Sequence, residues 1–289
     1  MRIANVDSRL TLLVADGPID VALASKGRFG PDPQAAYESF DDLRRWAEGQ
    51  GEPAPAGSEA GMYDPRVLGP VAPAPRQVFA IGLNYREHAA EGGITTLPDE
   101  PTVFAKYPSS FSGPVTEVPL PAGSVDWEVE LVAVISRTAR DVDPARAWDH
   151  VAGLTVGQDL SERQLQLRGP VPQFSLSKSH PGFSPTGPVL VTPDELPDAD
   201  DLEIGCAVND EQMQKARTAG LIFSVPQLVA YLSTIVTLYP GDVIFTGTPA
   251  GVGAGRTPQR YLRPGDELLS WVEGIGELRQ RFVPGRTGA

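Results

Sequence analysis

Apolar positions along this chain of 289 residues fall into short runs separated by Gly and Pro, and several runs alternate with polar residues. A period of two marks strands, and a period near 3.6 marks helices. Leu10-Thr11-Leu12-Leu13-Val14 and Ile19-Asp20-Val21-Ala22 flank Asp16-Gly17, a step that predicts a hairpin. Residues 34–48 carry apolar groups at helical spacing. The Gly- and Pro-rich stretch from Gly49 to Gly57 then reads as a linker. Residues 1–70 are therefore expected to form a small N-terminal subdomain, and 71–289 the main domain.

In the main domain, strands are expected over 76–81, 102–106, 125–135, 203–209, 243–247, 267–271 and 277–283. A helical turn is expected at 86–91, ended by Gly92-Gly93, with a short helix at 144–151 and a buried helix within 221–238. Thr155-Val156 reads as a strand, with Asp159 where that strand gives way to a helix. Arg163 and Gln166 follow at helical spacing on about the same face as Asp159.

The run Val125-Asp126-Trp127-Glu128-Val129-Glu130-Leu131-Val132-Ala133-Val134-Ile135 organises the rest. On one continuous strand Asp126, Glu128 and Glu130 share a face. Carboxylates gathered on a greasy strand repel one another and cost desolvation. Two readings are open: a half-exposed strand with a solvated acidic face, or an oxygen-ligand site for a hard divalent cation. Asp159, at a strand end, is placed to complete such a site.

His88 and Glu91, three apart in the predicted helical turn, would be neighbours on one face. A carboxylate beside an imidazole orients it and raises its basicity, as in a general base, although a solvated surface pair has the same spacing. The polar loop from Ile94 to Pro101 reads either as a lid or as an ordinary surface loop. Lys178, alone in a loop, reads from its surroundings as a solvated surface group. Gly251-x-Gly253-x-Gly255 is spaced like part of a dinucleotide loop, but the strand–helix frame is missing, which excludes a nicotinamide site.

Composition narrows the function classes. Hydrophobic residues make up 41% and charged residues 21%, as in an ordinary globular protein. The formal net charge of −13 disfavours nucleic acid and anionic membranes as partners. No apolar run reaches the roughly 20 residues that span a bilayer, and no secretory signal is evident, so a cytoplasmic location is expected. Cys206, the sole cysteine, excludes an internal disulfide and reads as a small buried hydrophobe.

Taken in order, the blocks Gly82-Leu83-Asn84-Tyr85 with His88 and Glu91, Asp126-Trp127-Glu128-Val129-Glu130-Leu131, Asp159-Leu160-Ser161-Glu162-Arg163, Lys178-Ser179, Val208-Asn209 with Gln214, Pro240-Gly241-Asp242 and Gly247-Thr248-Pro249-Ala250-Gly251-Val252-Gly253 resemble the fumarylacetoacetate hydrolase superfamily. The resemblance runs from about Arg76 to Val283, and its acylpyruvase and fumarylpyruvate hydrolase members are the ones it points to. It implies an α+β chain, mostly β, built as a mixed sheet roll. It implies Mg²⁺ or Mn²⁺ (or Ca²⁺) held by Glu128, Glu130 and Asp159, with Asp126 outside the ligand set.

The resemblance further implies a His88–Glu91 dyad, a catalytic Lys178, and substrate contacts from Tyr85, Arg163, Gln166 and Thr248. The expected activity is hydrolysis of a C–C bond in a 2,4-diketo acid. Isomerisation or decarboxylation of a related keto or diene-dioic acid, and a non-catalytic metal-binding protein, are the alternatives. A small anionic keto acid and a second copy of the chain are the expected partners. Two positions depart from the pattern: Gln158 stands where Asn is common, and Asp210 where Gly commonly follows Val-Asn.

Overall fold

The computed structural model describes residues 1–94 and 96–285. The loop read either as a lid or as an ordinary surface loop includes Thr95, which lies outside these, as do residues 286–289 at the end of the expected main domain. In chain order the main strands are β1 (Arg2–Val6), β2 (Arg9–Val14), β3 (Gly17–Asp20), β4 (Val78–Gly82), β5 (Thr102–Ala105), β6 (Val115–Leu120) and β7 (Val129–Ile135). They continue with β8 (Val151–Gln158), β9 (Ser184–Val191), β10 (Glu203–Val208), β11 (Glu211–Arg217), β12 (Val243–Phe245), β13 (Glu267–Val272) and β14 (Gly276–Pro284). The helices that matter below are α1 (Phe40–Ala47), α2 (Arg86–Glu91), α3 (Arg163–Gln166), α4 (Phe174–Ser177) and α5 (Val225–Ile235). The fold is thus α+β and mostly sheet, as expected.

The larger sheet runs β3-β2-β1-β9-β8-β7-β12-β4-β5, and a five-stranded sheet runs β11-β10-β13-β14-β6. Most neighbours are antiparallel. The pairs β12·β4 and β14·β6 are parallel. The N-terminal hairpin forms as predicted, and β1 joins the larger sheet, pairing Arg2 with Val191 and Ile3 with Leu190.

Strands β7, β8 and β9 are buried along their whole length. Period two explains how. Leu131, Ala133 and Ile135 face a core shared with the second sheet, alongside Leu154, Ile204, Leu268, Leu278 and Phe282. Val132 and Val134 face a second core on the opposite side, with Tyr37, Phe40, Leu43 and Phe245. Truncating Leu131 to Ala should therefore cost about 2–5 kcal/mol.

Helix α1 covers that second core with Phe40, Leu43 and Ala47. Its acids sit in the first turn and its arginines in the last, which complements the helix dipole. Helix α5 starts with the reciprocal Ser224/Gln227 capping box. The Asp210 departure has a simple outcome: Asn209 and Asp210 both take positive φ, 50° and 66°, forming the two-residue turn between β10 and β11. Asp and Asn tolerate that region, so the hairpin survives without Gly.

Candidate active site

The acidic run is not one strand. Val125-Asp126 pairs with Ser161-Glu162, and the ladder of β7 starts only at Val129. Between them the backbone is satisfied by side-chain amides. The Glu128 N–H donates to Gln158 Oε1 at 2.9 Å, and the Val129 N–H to Gln214 Oε1 at 3.0 Å. Gln158 in turn donates to Ser270, and Gln214 to Thr248 and Pro249 O. The continuous strand expected to carry all three acids is thus broken between Asp126 and Val129, and Asp126 stays linked to Glu128 through Arg163 Nη2.

Glu128 and Glu130 point to the side of Val132, away from the second sheet, and they are buried rather than solvated. The solvated acidic face considered from the sequence does not occur. The Asp159 N–H donates to the Glu128 carbonyl at 2.9 Å, which brings Asp159 beside them. Carboxylate oxygens of Glu128, Glu130 and Asp159 all lie within 4.8 Å of one another.

Cations surround this cluster unevenly. Lys178 is 2% exposed, against the expectation of a surface lysine, because its Nζ bridges Glu128 Oε2 and Asp159 Oδ2 at 2.7 Å each. Arg163 Nη2 reaches Glu128 Oε1 at 2.7 Å and Asp126 Oδ2 at 2.8 Å, while Nη1 donates to Gln166 Oε1 at 3.0 Å. Lys106, equally buried, pairs with the other oxygen of Asp159 and donates to the Lys178 carbonyl. Glu130 makes no ion pair among the described residues. It accepts the Gly247 N–H at 2.7 Å.

The protonation balance follows. Burial pushes the Glu128 carboxyl up, but Lys178 and Arg163 outweigh it and hold it at about 2. Glu130 is raised well above its ordinary value by burial and by the charges of Asp159 and Glu128. Burial lowers Lys106 despite Asp159 beside it. For Lys178, Asp159 and Glu128 overcome burial and raise it. One carboxylate in three is thus short of positive charge.

The glycine-rich loop after β12 is the reverse of a phosphate cradle: its amides hold the protein's own carboxylates. Gly247 N–H serves Glu130, Gly251 N–H serves Glu91 at 3.0 Å, and Gly253 N–H serves Asp126 at 2.6 Å. Such close approach needs glycine. A Cβ on Gly247, where φ is +98°, would lie 2.7 Å from the Asn84 Cβ, and one on Gly253 would lie 2.7 Å from Asp126 Oδ1. Asp126, also bonded by Ala254 N–H at 3.0 Å, therefore positions Arg163.

Helix α2 carries the second group. Asn84 anchors its entry by donating to the carbonyls of Phe223 and Thr246 and accepting the Phe223 N–H. One turn later His88 Nδ1 lies 2.9 Å from Glu91 Oε2. Burial raises Glu91, but the His88 contact and the Gly251 N–H outweigh it and leave the carboxyl lowered. His88, Glu128, Arg163, Gln166, Lys178 and Thr248 line one cavity of about 310 Å³. Thr248 Oγ1 donates to the Val129 carbonyl at 2.9 Å, and Tyr85, deeply buried, has a hydroxyl with no hydrogen-bond partner.

The profile described as fumarylacetoacetate (FAA) hydrolase C-terminal matches residues 77–283, more than two thirds of the chain. The chain belongs to the fumarylacetoacetate hydrolase family. It is similar to a crystal structure of an HpcE-like protein from Mycobacterium smegmatis, with 57% identity, a TM-score of 0.92, and coverage of 99% of this chain and 100% of that one. It also resembles a protein of Mycobacterium abscessus named as a 2-hydroxyhepta-2,4-diene-1,7-dioate isomerase, at 27% identity and TM-score 0.81, covering 99% and 98%. A third neighbour is the maleylpyruvate hydrolase of Sphingobium sp. SYK-6, in complex with manganese(II) and pyruvate, at 29% identity and TM-score 0.76, covering 99% and 100%.

The residues of this family member suit a divalent cation. The donors are hard carboxylate oxygens, close enough to converge on one point. Glu130 has no direct ion-pair partner among the described residues, and the buried Tyr85 hydroxyl, pushed up by burial and by the Glu130 charge, has no hydrogen-bond partner among them. Manganese is present in the maleylpyruvate hydrolase neighbour.

Three residues of the site escaped the sequence reading. Lys106 ends an ordinary-looking strand, and only a single lysine closing an apolar run marks it. Gln158 and Gln214 each figured there only as pattern positions, not as the amides that mend the broken ladder. Cys206 is buried and its thiol is pushed up by burial, as an inert core residue. No helix among the described residues is long and apolar enough to cross a membrane.

Proposed function

We propose that this protein hydrolyses a C–C bond in a 2,4-diketo acid, releasing pyruvate and a carboxylic acid. One observation carries the reading: a His–Glu pair with Nδ1–Oε2 of 2.9 Å opens on the same cavity as Glu128, Lys178 and Arg163. Glu128, Glu130 and Asp159 would hold Mg²⁺ or Mn²⁺, which supplies Lewis acidity toward the substrate's keto and carboxylate oxygens.

The chain's own residues do the rest. Glu91, fixed by the Gly251 N–H, orients the His88 ring, which accepts a proton from water. The water oxygen adds to the distal carbonyl carbon. The bond from that carbon to the methylene breaks, and its electron pair stays on the methylene as the pyruvate enolate. His88 returns the proton to that carbon. Lys178 and Arg163 hold positive charge where the headgroup's negative charge develops. Gln166, Thr248 and Tyr85 orient the headgroup.

Family membership and the named hydrolase among the neighbours support this reading. The similarity to a named dioate isomerase supports a second one, in which His88 moves a proton between carbons without adding water. A homodimer in the cytoplasm completes the proposal.

Purified protein should be assayed with Mn²⁺ on acylpyruvates, oxaloacetate and a diene-dioate in isotopically labelled water. Label in the released carboxylate supports hydrolysis. Double-bond migration without label supports isomerisation. Bound metal with no turnover on any of them would overturn both.

A further inference from the structure

The cavity lining is of two chemical kinds. Glu128, Arg163, Lys178 and His88 are its charged and titratable members. Leu83, Phe104 and Phe174, with the more exposed Ile94 and Thr102, supply its apolar part. The rings of Phe104 and Phe174 lie 5.4 Å apart at 30°. Phe104 marks the boundary, since the Lys178 ammonium is 5.3 Å from its centroid.

Every cation that lines this cavity among the described residues is already committed. Arg163 serves Asp126 and Glu128, Lys178 serves Glu128 and Asp159, and His88 serves Glu91. Arg86 and Arg168 are exposed and lie outside the lining. The adjoining loop carries Asp99 and Glu100 and no base. A carboxylate beside the two phenyl rings would meet no cation of the lining that is free to pair it.

We infer that the substrate tail beyond the distal carbonyl is uncharged and apolar, an alkyl or aryl group, so that the site selects acylpyruvates over substrates ending in a second carboxylate. This rests on the diketo-acid reading of the site and sets this chain apart from its neighbour named for a 1,7-dioate. Phe104 and Phe174 are the specificity-determining residues, because their faces replace the water lost from an apolar tail.

The test uses 2-oxohexanoate and 2-oxoadipate, 2-oxo acids of equal length that differ by the terminal carboxylate and have no bond to cleave. Their affinities for the Mn²⁺-loaded protein are measured by calorimetry. 2-Oxohexanoate is expected to bind about tenfold to a hundredfold tighter. Phe174→Ala should weaken 2-oxohexanoate and leave 2-oxoadipate unchanged, and Thr102→Arg should reverse the preference. Equal or tighter binding of 2-oxoadipate by the unaltered protein overturns the inference. Failure of the hydrolase reading stays separate: a retained preference for 2-oxohexanoate with no turnover of any acylpyruvate sinks the reaction and keeps the tail.

Discussion

Glu128 of the Glu128–Glu130–Asp159 cluster and His88 of the His88–Glu91 pair line the same cavity, yet very different amounts of structure hold the two groups. The cluster lies at the end of strands buried along their length, and its charges are fixed by Lys106, Lys178, Arg163 and the Gly247 amide. The pair sits on a six-residue helix whose one buried residue is Ala89, with His88 and Glu91 side chains 19% and 18% exposed. The difference suits the two tasks proposed for them. Like charges can be held together only where surrounding groups over-determine their positions. A group that exchanges protons with water must stay within reach of it.

Removing a member of the cluster should have the largest effect. Glu128→Ala is expected to lose Mn²⁺ binding and activity together, with kcat/KM down roughly ten-thousandfold. Calorimetry and a pyruvate-release assay check it, and retained Mn²⁺ affinity would move the ion elsewhere. His88→Ala should split the two properties: kcat falls about a hundredfold to ten-thousandfold while Mn²⁺ affinity is unchanged. If metal is lost there too, the two regions are not the separate devices described.

Lys106→Met probes the support beneath the cluster. It leaves Asp159 buried with one partner fewer, which should cost about 3–5 kcal/mol in a denaturant titration. Mn²⁺ affinity should drop about tenfold to a hundredfold as Asp159 loses its anchor. Full affinity in a stably folded variant would make Lys106 a core residue without influence on the site.

The smallest effect is on pH dependence. Glu130 keeps its proton in the folded, metal-free protein well above its ordinary value of 4.5, while the unfolded chain loses it near that value. Raising the pH through that window therefore removes stability from the metal-free protein. Glu128, held at about 2, works in the opposite sense: its contribution is present above 4.5 and is lost as pH falls toward 2. A cation bound at the proposed site would take the place of the Glu130 proton. Thermal stabilisation by Mn²⁺ should thus grow, by roughly 5 °C, as pH is raised above the ordinary glutamate value of 4.5. A pH-independent increment would contradict the account of Glu130.

The same contrast explains what the sequence made legible. Alternation exposed Glu128 and Glu130 because a carboxylate in an apolar period-two run is conspicuous. Helical spacing exposed His88 and Glu91 because three residues are one turn. Both are local signals. The burial of Lys178 and the role of Lys106 depend on contacts with residues 128 and 159, up to 53 positions away, and no local pattern carries that. The break after Asp126 is likewise imposed by Gln158 and Gln214 from distant strands. The same holds for β1, whose pairing with β9 joins Arg2 to Val191.

Whether the three buried carboxylates form a metal site is decided by calorimetric titration of metal-stripped protein with Mn²⁺, run beside Glu130→Ala. One ion per chain should bind to the unaltered protein, with release of protons from Glu130, and no comparable binding should occur in the variant. No binding to the unaltered protein, or equal affinity in both, would rule the site out.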